Sequence, residues 1–276
     1  EEDPGRLVHV AGASKYSLVD YNRSGIPLLE IVTEPDMRSP QEARRFLNKL
    51  RTILEYLGVF DGEREGALRV DANISIEGSA RVEVKNISSY KGVEKALTFE
   101  ATRQRNLLRR GQTVARETRH FMEGRGITTS ARGKEEAHDY RYFPDPDLGP
   151  IRVADRVAAI DLPELPTARK NRFMAQYGIS LNHARTLTGD PRLADFYEHV
   201  APADPILAAT WAADILLGEL NYRDMSIAAV PADRIRELLA LLRAETITDA
   251  AGVQVLREML DACAAGRPCE KPADIV

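Results

Sequence analysis

The chain has 276 residues, with 38 Lys+Arg against 42 Asp+Glu and a formal net charge of -4, long enough for one large or two ordinary domains. No apolar run is long enough to span a bilayer and no secretory signal stands at the start, and the sparse cysteine content makes a reducing, cytoplasmic setting the expectation. Two cysteines, Cys263 and Cys269, without further Cys or His nearby exclude a zinc site, while the charge balance leaves an RNA partner open, since such a partner needs a positive face rather than a positive total.

The opening residues Glu1-Glu2-Asp3-Pro4 contain no Met and no helix or strand start, so an upstream part is expected to be missing. Ile26-Pro-Leu-Leu-Glu-Ile-Val32 is an apolar run with one charge, Glu30, at its middle. Read as a strand, it puts Leu28, Glu30 and Val32 on one face. A buried Glu30 must then be an ion pair, with Arg23 or Arg69, or serve a metal or catalysis.

Ser39-Pro40-Gln41-Glu42 predicts a helix start, with Ser as N-cap, Pro at the first helical position and Glu completing a capping box. Phe46, Leu47, Leu50, Ile53, Leu54 and Leu57 follow at helical spacing up to Gly58. The stretch Leu68 to Ile76 then alternates without a break. Leu68, Val70, Ala72, Ile74 and Ile76 take one face, and Arg69, Asp71, Asn73 and Ser75 the other. That is a half-buried strand with a cation, a carboxylate and an amide on its open side. The polar row suits a metal ion or a phosphate, and it equally suits a plain solvated face. A turn at Glu77 to Ala80 and renewed alternation over Arg81 to Lys85 predict a hairpin, adding Arg81, Glu83 and Lys85 to the polar face.

A long helix is predicted from about Gly92 to Arg110, ending at Gly111. Its three C-terminal arginines, from Arg105 on, suit the helix dipole or a phosphate contact. Short strands are expected between Arg116 and Tyr142. In His138-Asp-Tyr-Arg-Tyr-Phe143 the aromatic pair beside an arginine suits base stacking or a packed strand end. Pro-rich breaks at Phe143–Pro150 and Asp161–Pro166 precede a region that is helical almost throughout, with starts at Asp190-Pro191, Asp204-Pro205 and Pro231. Trp211 is expected in the core with Ile206, Leu207, Ile215 and Leu216. The fold class is therefore α+β, with residues 1–162 forming the mixed part and residues 163–276 an all-helical domain. No P-loop, dinucleotide fingerprint or nucleophile elbow is present, so any ATP chemistry must use a fold-specific site.

Four segments together resemble the B subunit of the aspartyl/glutamyl-tRNA amidotransferase. They are Asp20 to Pro40, Leu68 to Ser75, Val84 to Tyr90 and Lys134 to Asp147, in the family's order. The archaeal E subunit is a close relative, but Asn22-Arg-Ser-Gly25 is more similar to B. The resemblance implies the second half of a mixed-sheet catalytic cradle followed by the helical domain. It also implies ATP-dependent phosphorylation of the side-chain carboxylate of Glu-tRNA(Gln) or Asp-tRNA(Asn), followed by amidation with ammonia released from glutamine by a separate A subunit. A C subunit is a further expected partner, and ATP and magnesium are the implied cofactors.

Carried over by position, the resemblance places the family's metal-binding and catalytic carboxylates on Glu2, Glu30 and Asp71. Glu2 and Glu30 are read as magnesium ligands, and Asp71 as a ligand or organiser of the phosphoryl or ammonia step. Arg69 and Lys85 are assigned to phosphate or the tRNA acceptor end. An upstream segment with further metal ligands, and a helical tail domain that grips tRNA, are expected outside this chain, which alone is expected to be inactive. Val70 stands where many members have Cys. The competing reading is a non-catalytic RNA-binding or assembly module whose carboxylates only hold the sheet together.

Overall fold

The computed structural model describes residues 6–8, 18–22, 24–62, 64, 67–131, 146–147 and 149–276. Two compact units emerge, Glu1–Ser39 and Pro40–Val276. In the first, β1 (Arg6–Val8) and β2 (Leu18–Asp20) pair antiparallel. The apolar run that follows is not the expected strand. Residues 28–34 are irregular, and Leu29, Ile31 and Val32 are exposed along with Glu30. Pro27, which lacks an N–H to continue a ladder, makes only an isolated bridge, and residues 28–34 have no strand partner among the described residues.

The second unit begins with α1 (Pro40–Tyr56), directly after Ser39, and Gly58 past its end takes a left-handed φ of 68°. A four-stranded sheet follows in the order β3 (Val70–Ile74), β4 (Val82–Ile87), β5 (Glu117–Met122), β6 (Ile127–Ser130). The hairpin β3–β4 is antiparallel as its alternation predicts, and β5–β6 is a second antiparallel pair. β4 and β5 run parallel, because the chain between them crosses over through α2 (Tyr90–Arg109). Ser89 caps α2 by accepting a hydrogen bond from the Gly92 N–H at 2.9 Å. The sheet buries Ala72, Val82, Val84, Ile87 and Phe121, and α2 contributes Val93, Ala96, Leu97 and Ala101 to the core.

Under α2 lies a buried polar knot. The Glu100 carboxylate is fully buried, accepting from Arg103, Gln104 and Thr128, and Arg119 of β5 approaches to 3.4 Å. Arg119 and Arg103 in turn share Glu117. Buried charge is tolerated here because each partner is paired or hydrogen-bonded.

The remainder is helical: α3 (Ala154–Ala158), α4 (Pro166–Tyr177), α5 (Leu181–Leu187), α6 (Pro191–Val200) and α7 (Pro205–Thr210). A π-helical turn over Trp211–Leu216 leads into α8 (Leu217–Arg223), then α9 (Ala232–Arg243), α10 (Asp249–Ala264) and α11 (Pro272–Ile275). Phe173, Tyr177 and Tyr197 form an aromatic cluster with centroids 5.0–5.6 Å apart. Trp211 is in the core with Leu216, but Ile206 is 61% exposed, contrary to expectation. Five residues on a helix amount to about 140°, which places Ile206 well off the Trp211 face. The Tyr56 hydroxyl at the end of α1 donates to the Thr188 carbonyl at 3.2 Å, and the Arg169 guanidinium lies 5.9 Å from its ring, so sheet layer and helices interlock. Among the described residues no helix is long and apolar enough to cross a membrane.

Candidate active site

The open face of the sheet is built by an irregularity in β4. Val70 pairs with Ile87 but Ala72 pairs with Val84, so Lys85 and Asn86 together stand opposite Asp71. Asn86 takes a left-handed φ of 65°, and its Nδ2 donates to the Phe121 carbonyl at 3.1 Å. This bulge does two things. It returns Ile87 to the core after one extra residue, and it turns Lys85 toward Asp71. Lys85 Nζ lies 3.3 Å from Asp71 Oδ2 and 3.4 Å from Glu83 Oε1. Burial draws the Lys85 pKa down, but the Asp71 and Glu83 carboxylates outweigh it and hold the ammonium above its ordinary value. Lys85 is therefore charged throughout the neutral range.

The parallel neighbour extends the row. Lys85 is in register with His120, which pairs with Thr129 of β6. One residue-pair along, Asn73, Glu83 and Thr118 align, and the Thr118 hydroxyl donates to Glu83 Oε2 at 3.0 Å. An anion, a cation and an imidazole thus cross three strands on a face that stays half open, with the Asp71 side chain 51% and Lys85 41% exposed. Beyond Lys85, β4 runs into the N-terminus of α2, where Ser88 and Ser89 donate to the two oxygens of Glu123 at 3.0 and 2.9 Å.

The predicted residues fare differently. Asp71 and Lys85 meet as a pair, and Arg69 is exposed just ahead of β3. Glu30 is exposed rather than buried, and it belongs to the first compact unit while Asp71 belongs to the second. The burial expected of Glu30 is therefore overturned: an exposed carboxylate keeps its hydration and by itself demands neither an ion pair nor a metal. Glu2, Arg23 and the His138–Phe143 stretch lie outside the described residues. No group of three His, Cys, Asp or Glu that would hold a metal is gathered among the described residues. Asp71 still fits magnesium by donor type, as a hard oxygen ligand on an open face with room for the waters that ion retains. His120 and Thr118 were not anticipated from sequence. The signal was available in a strand–long helix–strand order, which requires a parallel crossover and so brings the strand after α2 against Lys85.

A family described as the GatB/GatE catalytic domain matches residues 1–159, and one described as the GatB domain matches residues 195–268. The chain is 69% identical to the B subunit of the aspartyl/glutamyl-tRNA(Asn/Gln) amidotransferase of Methanospirillum hungatei, with all of this chain and 59% of that protein covered. The protein of the same name in Methanoregula boonei is 66% identical over all of this chain and 58% of its own length. That of Methanosarcina acetivorans is 56% identical over 95% of this chain and 58% of its own. The chain thus spans less than two thirds of the length of these relatives.

Proposed function

The chain belongs to the GatB/GatE catalytic-domain family, and from that premise we propose that it supplies part of the active site of the B subunit in a tRNA-dependent amidotransferase. The reaction is ATP-dependent activation of the side-chain carboxylate of Glu-tRNA(Gln) or Asp-tRNA(Asn), followed by amidation. Residues 1–162 serve as part of the catalytic cradle and residues 163–276 as the helical domain. An A subunit that releases ammonia from glutamine, and a C subunit, complete the complex, which works in the cytoplasm during protein biosynthesis.

The observation that carries this reading is the Asp71–Lys85 pair, held half open by the Asn86 bulge. A carboxylate is a poor electrophile, so its oxygen must first take the γ-phosphoryl group, with the bond to the β-phosphate oxygen breaking and ADP leaving. Phosphoryl transfer asks for positioning and charge neutralisation more than covalent help. A permanently charged Lys85 next to Asp71 suits that demand, and Arg69 adds a second cation at the start of the same strand. Asp71, Glu30 and Glu2 are the proposed ligands that would hold magnesium, which would supply charge neutralisation during phosphoryl transfer. Ammonia nitrogen then attacks the acyl carbon, phosphate departs with the C–O electron pair, and the amide nitrogen loses a proton. Asp71 orients the reacting groups at one of these two steps.

The non-catalytic reading requires carboxylates that serve the sheet alone. Glu100 fits that description, being fully buried among arginines, whereas Asp71 does not. The relatives are named as the B rather than the E component, which favours B for this chain. The test joins the full-length protein to its A subunit and follows ADP release as mischarged tRNA is added. ADP formed only with mischarged tRNA, and lost in Asp71→Asn, is the expected result. Tight tRNA binding with no ADP from the native complex would replace this reading with the binding module.

A further inference from the structure

The end of the sheet at which β4 and β5 begin, away from Asp71, collects arginines that no carboxylate among the described residues claims. Val82 of β4 is in parallel register with Glu117 of β5, so the residues that precede them, Arg81 and Arg116, start adjacent strands side by side. The β3–β4 turn leans on the last turns of α2: Ser79 Oγ donates to Gln104 Oε1 at 2.9 Å, and a Cβ at Gly78 would sit 3.8 Å from Leu108. Arg105 and Arg109 occupy those turns, one helical repeat apart, and Arg110 follows them. All five side chains belong to exposed residues. None has an ion pair or a side-chain hydrogen bond among the described residues, whereas Arg44, Arg51, Arg103 and Arg119 of the same layer all do.

Nearby acids among the described residues do not balance them. Glu117 is engaged by Arg103, Arg119 and Ser130, which leaves Glu77 in the exposed turn. The helix dipole accounts for Arg109 and Arg110 at the end of α2. It does not account for Arg81 or Arg116, which begin strands, or for Arg105 a turn earlier. Five like charges at one edge of a chain whose total is -4 cost self-repulsion, and that cost is recovered when an anion binds.

We infer that this edge is a second RNA contact surface that grips phosphates of a helical stem, separate from the site that handles the aminoacyl end. This rests on the proposed tRNA-dependent reaction. Arg81 lies four residues along β4 from Lys85, roughly 13 Å, so one RNA molecule reaches both places. The guanidinium fork matches phosphate oxygens bidentately. Residues 77–81 and 105–116 contain no aromatic side chain, and Asn106, Gln112 and Thr113 add neutral hydrogen-bonding groups. That composition suits backbone contact without base stacking, and hence binding that is indifferent to sequence.

The test uses the full-length protein in complex with its A subunit, and uncharged tRNA as the probe, titrated at several salt concentrations. One variant carries Arg81→Gln, Arg105→Gln, Arg109→Gln and Arg116→Gln, which removes charge without adding acids. A control carries Arg45→Gln and Lys49→Gln on the exposed side of α1. The edge variant is expected to weaken tRNA binding at least tenfold and to flatten the salt dependence by about one unit per lost phosphate contact. The control, and ADP release at saturating mischarged tRNA, stay near native. Equal loss in the control, or unchanged tRNA affinity in the edge variant, overturns the inference. Lost assembly with the A subunit at unchanged tRNA affinity would instead identify an acidic protein surface as the partner. Because tRNA binding is read without turnover, failure here is distinguishable from failure of the proposed reaction, which Asp71→Asn reports.

Discussion

Asp71 and Lys85 face each other at 3.3 Å across a strand pair that is out of step by one residue, and Asn86 is the residue that takes up the difference. Its left-handed φ of 65° is a conformation Asn tolerates and a β-branched residue does not. The geometry of the charged pair is thus set by a neighbour that touches neither charge.

Replacing Asn86 separates the contributions. Asn86→Gly keeps the backbone shape and loses the bond from Nδ2 to the Phe121 carbonyl, so a stability loss of about 1 kcal/mol is expected. Asn86→Val must also force φ away from 65°, adding about 1–3 kcal/mol. In urea unfolding the valine variant should lie clearly below the glycine one. In the intact complex, amide formation should fall more for valine, because the Lys85 ammonium is displaced from Asp71. Equal behaviour of the two would mean the bulge does not position the pair.

Glu100 gives a prediction with a definite sign. Burial alone would raise its pKa, but hydrogen bonds from Arg103, Gln104 and Thr128, with the charge of Arg103, outweigh burial and hold it below the ordinary 4.5. A carboxyl whose pKa is lower in the folded state contributes stability that is complete above the unfolded value and lost as pH falls through the folded one. Glu100→Gln leaves Arg119 and Arg103 without that charge and should cost about 3 kcal/mol or more at pH 7. The gap between native and variant should narrow as pH drops below 4.5. Urea midpoints measured from pH 7 to pH 3 would show it, and a constant gap would mean that Glu100 acts by packing alone.

The hairpin was legible because period-two alternation over residues 68–76 states both its strand and its open face. The two long helices of this layer were legible as well, α1 from its capping sequence and glycine stop and α2 from its stop at Gly111, although α2 begins at Tyr90 behind the Ser89 cap rather than at Gly92. What could not be read is set by partners remote in sequence. Glu100 lies 28 residues from Thr128, so its burial depends on strands not yet placed. Glu30 illustrates the converse, since apolar neighbours imply burial only when a second surface covers them, and residues 29–34 are left exposed. The bulge at Asn86 was also hidden. Alternation from Arg81 to Lys85 gives no sign that the next residue breaks it, although Asn is among the few side chains able to do so.

Gly252 of α10 is a packing requirement. A Cβ there would lie 2.8 Å from Trp211 Cη2 and 2.9 Å from Leu242 Cδ2. Gly252→Ala should gain up to about 1 kcal/mol of helix propensity and lose more than that, about 1–3 kcal/mol, to overpacking. Trp211 is the only tryptophan, so its fluorescence reports unfolding and the local environment together. A variant more stable than native would show that the indole shifts aside without cost.

The contact between α1 and the helical region supplies an alkaline counterpart to the Glu100 prediction. Burial pushes the Tyr56 phenol up to about 12, against the opposing charge of Arg169. Burial likewise raises Tyr197, whose hydroxyl donates to the Pro205 carbonyl at 3.2 Å. An acid that ionises at a higher pH when folded is held neutral while its unfolded counterpart is already losing its proton. Stability from Tyr56 is therefore full below pH 10 and falls between pH 10 and about 12. Tyr56→Phe removes the donor to Thr188 and should cost about 1 kcal/mol at neutral pH. It should also flatten the alkaline decline without abolishing it, because Tyr197 still contributes. Thermal midpoints of native and variant from pH 8 to pH 11 decide the matter: parallel declines would mean that Tyr56 ionises alike in both states, and that the helices are not held over its ring as the 3.2 Å bond to Thr188 requires.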